Sequence, residues 1–195
     1  LAQLKKLDAG WHFTPDQGKS FPWRGKGLTI PTLREVFAEF QTSHVGINIE
    51  IKRSDPNIEN KLYNLIVGYG MTDRVLVTSG YACIRNRFRR INKRGIAMGA
   101  HSVDSFCAYL QSRINFNQCY QPKYDALQIP CYFRGKIRVV SKKLVQMCHS
   151  KNVGFHVWTI NDIHTMRILL DMGVDGIMTD YPDRLYRVFQ EYGHR

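Results

Sequence analysis

Gly46-Ile47-Asn48-Ile49-Glu50-Ile51-Lys52 is a β-branched run with two full charges built into it. Side chains alternate across a strand, so Ile47, Ile49 and Ile51 share one face while Asn48, Glu50 and Lys52 share the other. A carboxylate and an ammonium two residues apart at a strand end can hold a divalent cation with the first and meet a phosphate oxygen with the second. A solvated strand face explains the same residues, and position alone leaves the two readings level.

Downstream of this run the chain repeats a short β-branched segment followed by an amphipathic one. Strands are expected near 46–51, 74–78, 96–100, 125–129, 155–160 and 176–180. Helices are expected near 57–69, 82–93, 103–112, 140–150, 162–172 and 183–191. Asp55-Pro56 opens the first of these helices, Asn161 or Asp162 opens the fifth and Gly173 closes it, and Tyr181-Pro182-Asp183 opens the last. Strands alternating with helices at this spacing imply βαβ crossovers and a parallel sheet. No G-x-G-x-x-G turn follows any strand, which removes the usual nucleotide-binding reason for a doubly wound sheet. A (β/α)₈ barrel needs eight strands. The expected architecture is therefore α/β, a partial TIM (β/α)₈ barrel of six βα units with the first two missing, those two lying before Leu1.

In either fold the chemistry sits beyond the C-terminal ends of the strands. Those ends carry Glu50 and Lys52, Thr78 and Ser79, Trp158 and Thr159, and Thr179 and Asp180. Ser79 and Thr179 read best as capping or turn residues, and Asp180 before Tyr181-Pro182 as a turn residue. For Trp158, core packing and a place in the site weigh equally.

The first thirty residues are loop-like, with turn signals at Asp8-Ala9-Gly10, Thr14-Pro15-Asp16 and Gly25-Lys26-Gly27 among Trp11, Phe13, Phe21 and Trp23. So many aromatics in an irregular stretch suggest a loop packed over a scaffold. Pro31-Thr32-Leu33 then starts a short helix with Leu33, Val36, Phe37 and Phe40 on one face.

The chain can bury one good core at 195 residues and 44% hydrophobic content, and it shows neither a membrane-length apolar run nor a signal-peptide pattern. Its five cysteines are widely spaced with no C-x-x-C pair, which signals neither a zinc site nor a disulfide framework and makes a reducing, cytoplasmic setting the default. The formal charge of +12 is concentrated locally: Arg85, Arg87, Arg89, Arg90, Lys93 and Arg94 form one group, and Arg134, Lys136, Arg138, Lys142 and Lys143 another. Such a field suits a phosphate-bearing substrate, an anionic membrane surface or nucleic acid. For the first group a solvated helix face is favoured, since Ile84, Phe88 and Ile91 give it a core stripe that leaves the arginines outward.

Four stretches together resemble the glycerophosphodiester phosphodiesterase family in order and spacing: Ile30-Pro31-Thr32-Leu33-Arg34-Glu35-Val36-Phe37, Asn48-Ile49-Glu50-Ile51-Lys52, Val157-Trp158-Thr159-Ile160-Asn161 and Gly173-Val174-Asp175-Gly176-Ile177-Met178-Thr179-Asp180-Tyr181-Pro182-Asp183. The resemblance covers nearly the whole chain. It implies a barrel that cleaves glycerophosphodiesters to glycerol 3-phosphate and an alcohol with a divalent cation, Ca²⁺ or Mg²⁺. By the same resemblance Glu50 matches the metal-ligand glutamate, Lys52 the lysine near the phosphate and so the catalytic and substrate-binding group, and Trp158 the aromatic of the substrate pocket.

The family's His-Arg-Gly, Glu-Asn-Thr, Glu-x-Asp and His-Asp signatures, which carry its acid/base histidines and remaining metal carboxylates, do not occur in these 195 residues. Residues 1–195 are thus expected to be one family domain truncated at its N-terminus and to show no turnover alone. Ser79-Gly80-Tyr81, where the family usually has Ser-Phe, alters only local loop shape. The alternative is a catalytically inactive barrel that persists as a binding or structural protein for phosphorylated glycerol compounds. A basic nucleic-acid-binding domain is disfavoured, because no recognition motif accompanies the arginines.

Overall fold

The computed structural model describes residues 1–53, 55–114, 120–133, 135 and 137–193. Arg134 and Lys136 of the second basic group, Cys119 and the terminal His194-Arg195 lie outside the described residues. The strands are β1 (Ile47–Glu50), β2 (Val75–Thr78), β3 (Ala97–Met98), β4 (Ala126–Pro130), β5 (Tyr132–Phe133), β6 (Ile137–Arg138), β7 (Gly154–Trp158) and β8 (Gly176–Ile177). The helices are α1 (Leu33–Phe40), α2 (Ile58–Gly68), α3 (Ala82–Ile91), α4 (Ser102–Arg113), α5 (Lys142–His149), α6 (Ile163–Asp171) and α7 (Pro182–Glu191), and a short 3₁₀ turn covers Leu4–Lys6.

Six of the strands are parallel and fall where the alternating pattern places them. β1, β2 and β3 form one sheet and β4, β7 and β8 another, each in that order. A parallel bridge from Gly99 to Ala126 joins them, with the Ala100 N–H donating to the Ala126 carbonyl at 2.8 Å and the Asp125 N–H to the Met98 carbonyl at 2.7 Å. Among the described residues the outer edges of β1 and β8 pair with no strand.

Each half has its own apolar layer between strands and helices. Ile51, Val75, Val77 and Met98 pack with Phe37, Leu62, Ile66, Ile84 and Phe88. Leu127, Ile129, Phe155 and Val157 pack with Leu144, Met166, Leu169 and Val188. The isoleucines of the opening stretch therefore face the helices, which sends Asn48 and Glu50 to the opposite side. Local chemistry sets the ends of the elements. Thr32 and Glu35 close a reciprocal capping box on α1, Ser141 and Asp162 cap α5 and α6, and Gly173 takes the positive φ of +84° that ends α6.

Three features depart from the sequence reading. A two-stranded antiparallel hairpin, β5–β6, stands between β4 and α5 where only a connection was expected. β3 and β8 are shorter than predicted; at β8, Thr179 and Asp180 leave the ladder to bond with Asn161 while pairing stops at Met178. Arg85 does not point outward: it is buried where α3 meets α4 and its guanidinium pairs with Asp104. It sits one residue beyond Ile84, on the flank of the core stripe, and the Asp104 carboxylate offsets the cost of taking it out of water. Arg87 likewise pairs with buried Glu59 at 2.7 Å, joining α3 to α2. The arginine cluster is thus partly a helix-to-helix fastening. Among the cysteines Cys131 and Cys148 are buried, whereas Cys83 and Cys107 are exposed.

Candidate functional site

The face opposite the helices is curled on itself. Parallel strands lie about 4.8 Å apart, so β1 and β4, three steps apart in the array, would be separated by ~14 Å if the sheet were flat. Instead the Asn48 side-chain amide reaches the Gln128 amide oxygen at 3.5 Å. The Gln128 amide nitrogen in turn lies 3.0 Å from Nδ1 of His156, which therefore accepts, leaving the ring proton on Nε2. Asn48, Gln128 and His156 form a polar row across a concave inner face.

Strand alternation carries the row to the next level up. Glu50 is two residues beyond Asn48, and Trp158 is two beyond His156 and in register with Pro130. Glu50 and Trp158 therefore project from the same concave face at the C-terminal ends of their strands. Lys52 lies just past the end of β1, with its ammonium 2.9 Å from a Glu50 carboxylate oxygen, and the two side chains are 77% and 47% exposed. Trp158 is 42% exposed, so it is not a core residue. Two clefts of about 440 and 430 Å³ lie elsewhere. One, between α2 and α3, is lined by Asp55, Glu59, Arg87 and Arg90; the other, at the N-terminal ends of the strands, by Arg89, Lys123, Asp125 and Lys151. Glu50, Lys52 and Trp158 line neither; they stand on the open mouth of the inner face.

The neighbouring strand ends are braced by the turn residues. Ser79 Oγ donates to the Ile51 carbonyl at 2.8 Å and accepts from the Tyr81 N–H at 3.2 Å, tying the segment that leads to Lys52 onto the start of α3. Asn161 Oδ1 accepts from Thr179 Oγ1 and from the Asp180 N–H, its Nδ2 donates to the Asp180 carboxylate at 2.8 Å, and its carbonyl accepts from Arg184. Asp180 is therefore a turn residue beside the mouth, as the sequence suggested.

Sequence reasoning missed His156 and Gln128. The available signal was the spacing of His156 from Trp158, two residues along one strand. The ring lies against Gly176, where a Cβ would come 2.9 Å from His156 Cδ2, so glycine makes room for it. Burial pushes the His156 pKa below its ordinary 6.5, with Asp175 opposing. The unfolded chain therefore binds the proton first as pH falls. The row's contribution to stability is complete above about 6.5 and is lost as pH drops through the lower folded value. Urea midpoints measured between neutral and mildly acidic pH should fall along this limb, and His156→Phe should flatten it; an unchanged slope in the variant would assign the titration to another group.

Among the described residues no group of three or more histidine, cysteine, aspartate or glutamate side chains is placed to hold a metal ion. Ca²⁺ takes roughly six to eight oxygens and Mg²⁺ a near-octahedral set, whereas Glu50 offers one carboxylate already engaged by Lys52. The residues described fit one ligand position of a divalent-cation site and do not make the site.

The model of the glycerophosphoryl diester phosphodiesterase family matches residues 1–184. A glycerophosphodiester phosphodiesterase of Caldanaerobacter subterraneus is 30% identical over 99% of this chain and 72% of its own length. The glycerophosphoryl diester phosphodiesterase domain of a Mycobacterium tuberculosis protein superposes with a TM-score of 0.77 at 15% identity, covering 97% of this chain and 74% of that one. An Oleispira antarctica phosphodiesterase solved with its product sn-glycerol-3-phosphate superposes at 0.61 with 20% identity, over 97% of this chain and 70% of that one. The parallel strands, the mouth built by β1 and β7 and these likenesses agree: the chain belongs to the glycerophosphoryl diester phosphodiesterase family.

Proposed function

We propose that the concave face of this chain is the phosphate-binding part of a metal-dependent glycerophosphodiester hydrolase of lipid metabolism, and that the six parallel βα units are part of a TIM barrel. The observation that carries this is the Glu50–Lys52 pair on the same inner face as Trp158, at the strand ends where barrel chemistry sits. The reaction adds water across a phosphodiester: the water oxygen bonds to phosphorus, the bond from phosphorus to the headgroup oxygen breaks, and that oxygen leaves as the alcohol with a proton. Glycerol 3-phosphate remains.

Each residue has one task. The Lys52 ammonium meets a non-bridging phosphate oxygen, where negative charge grows in the transition state. Glu50 holds that ammonium in place and would supply one oxygen to Ca²⁺ or Mg²⁺, which would contribute charge neutralisation at the phosphate. The Trp158 indole packs the carbon skeleton of the substrate. The acid/base groups and the other cation ligands are not provided by the described residues, so this chain binds phosphate esters without turning them over. Glycerol 3-phosphate should bind with a Kd on the order of millimolar, and Lys52→Ala should weaken it roughly tenfold, the worth of one charge-assisted hydrogen bond. Titration calorimetry checks both values; equal affinity in the variant would remove Lys52 from the site.

A further inference from the structure

We infer that the outward face of α4 docks onto a second copy of this chain, helix against antiparallel helix. In other helices of the two cores the large apolar side chains turn inward: α3 buries Ile84 and Phe88, α5 buries Leu144, Val145 and Met147, and α6 buries Met166 and Leu169. α4 is the reverse. Its buried positions are Ala108 and Ser112, with Ser112 Oγ donating to the Tyr109 carbonyl at 2.7 Å, while Asp104 turns to Arg85. This small inner side leaves room for Tyr120 and Tyr124, which fill the core with Ala108. The large residues point the other way. Val103, Phe106, Leu110 and Ile114, the last at the C-cap, are 59%, 61%, 43% and 67% exposed, and Cys107 is exposed among them. Steps of three, four and four residues place all four side chains on one side of a helix.

Charge and self-complementarity specify the occupant. α4 carries two charged residues in a chain of formal charge +12: Asp104 pairs with Arg85, and Arg113 lies over its own Tyr109 ring at 5.9 Å. Over most of the surface two copies repel, but along this stripe they approach without meeting like charge. An anionic polymer or lipid headgroup finds little there to bind. The stripe also matches itself when turned end for end about a two-fold axis at the level of Ala108. Phe106 of each copy then meets Leu110 of the other, Val103 meets the aliphatic stem of Arg113, and the two helix dipoles run head to tail.

The four side chains present on the order of 400 Å² of apolar surface, the scale at which a patch on a soluble protein marks an interaction site. Two such stripes with their polar rims would bury about 1,000 Å² in total, the lower end of specific interfaces, which suits a reversible dimer. Topology keeps the stripe clear of the rest of the array. α4 connects β3 to β4, the two middle strands joined by the Gly99–Ala126 bridge, whereas the unpaired edges belong to β1 and β8. A strand added beside either edge lies away from α4 and leaves it uncovered. The inference does not rest on the hydrolase reading, because α4 belongs to the helix layer and Glu50 projects from the opposite face of the sheet.

Sedimentation equilibrium should show a monomer–dimer equilibrium with a Kd on the order of 10 µM, as small interfaces give. Phe106→Gln with Leu110→Gln keeps the helix propensity and removes the centre of the stripe, so it should weaken the dimer roughly 100-fold while the urea midpoint and glycerol 3-phosphate affinity stay unchanged. Tyr186→Ser, on the exposed side of α7, should leave the dimer intact. A short-armed bis-maleimide added to the unmodified chain should join two copies through Cys107, which lies beside the axis. Cys107→Ser should remove the joined product although Cys83 is exposed as well. This second measurement does not depend on the folding of the double variant. A chain still monomeric at about 0.5 mM overturns the inference, even if the stripe then takes up neutral vesicles or a foreign amphipathic helix. A dimer untouched by the double variant, or cross-linking that persists in Cys107→Ser, overturns it equally.

Discussion

Incubated with glycerophosphocholine and either Mg²⁺ or Ca²⁺, the 195-residue chain is expected to release no measurable glycerol 3-phosphate. Placed acid/base groups are worth about 10² to 10⁴ in rate, and a Lewis acid adds several kcal/mol of charge stabilisation at phosphorus. At the mouth of the inner face neither is complete. Glu50 is paired with Lys52, the Asp180 carboxylate is bonded to Asn161, and His156 lies one level deeper with Nδ1 occupied by Gln128. Calorimetry should give a Ca²⁺ affinity weaker than about 10⁻³ M, below that of the weaker multi-ligand protein sites. Metal-dependent turnover by this chain would show that residues assigned here to structure do the proton transfer.

Glu50→Ala should have opposite consequences in two settings, which makes it the most informative substitution. In this chain the carboxylate partly neutralises Lys52 and repels a phosphate dianion, so its removal should tighten glycerol 3-phosphate binding several-fold. In a polypeptide that also carries the family's His-Arg-Gly and Glu-x-Asp segments, the same change removes a cation ligand. There kcat/KM for glycerophosphocholine should fall on the order of 10³ or more, the equivalent of about 4 kcal/mol of transition-state stabilisation. A steady-state assay of the longer protein beside a binding assay of this chain checks the sign in each. Loss of phosphate affinity in this chain would mean that Glu50 acts only by holding Lys52 in place.

The fold was largely legible because its signals are local and agree with one another. Val75–Thr78 and Gly154–Trp158 lie within two residues of their expected spans, and α2, α6 and α7 start within about two residues of their Asp or Pro markers. The β5–β6 hairpin was not legible, because two strands of two residues each give no period to read. The Glu50 and Lys52 face could be read from alternation beginning at Ile47, since three isoleucines leave only one side for the charges. Gln128 and His156 could not, because their pairing depends on the register of β4 against β7 and on the curl that brings Asn48 within reach of Gln128. The burial of Arg85 depends in the same way on where α4 packs. A helix-face reading assigns arginine to solvent, and only the placement of Asp104 shows otherwise.

The most direct test of the site is an NMR titration of the labelled chain with glycerol 3-phosphate, following backbone amides and the tryptophan indole N–H signals. Shifts should concentrate at Glu50, Ile51, Lys52 and the Trp158 indole, and in Lys52→Ala they should need roughly tenfold more ligand to reach the same size. Shifts confined to Arg89, Lys123 and Lys151, which line the cleft at the opposite end of the strands, would contradict the assignment and move phosphate recognition away from the concave face.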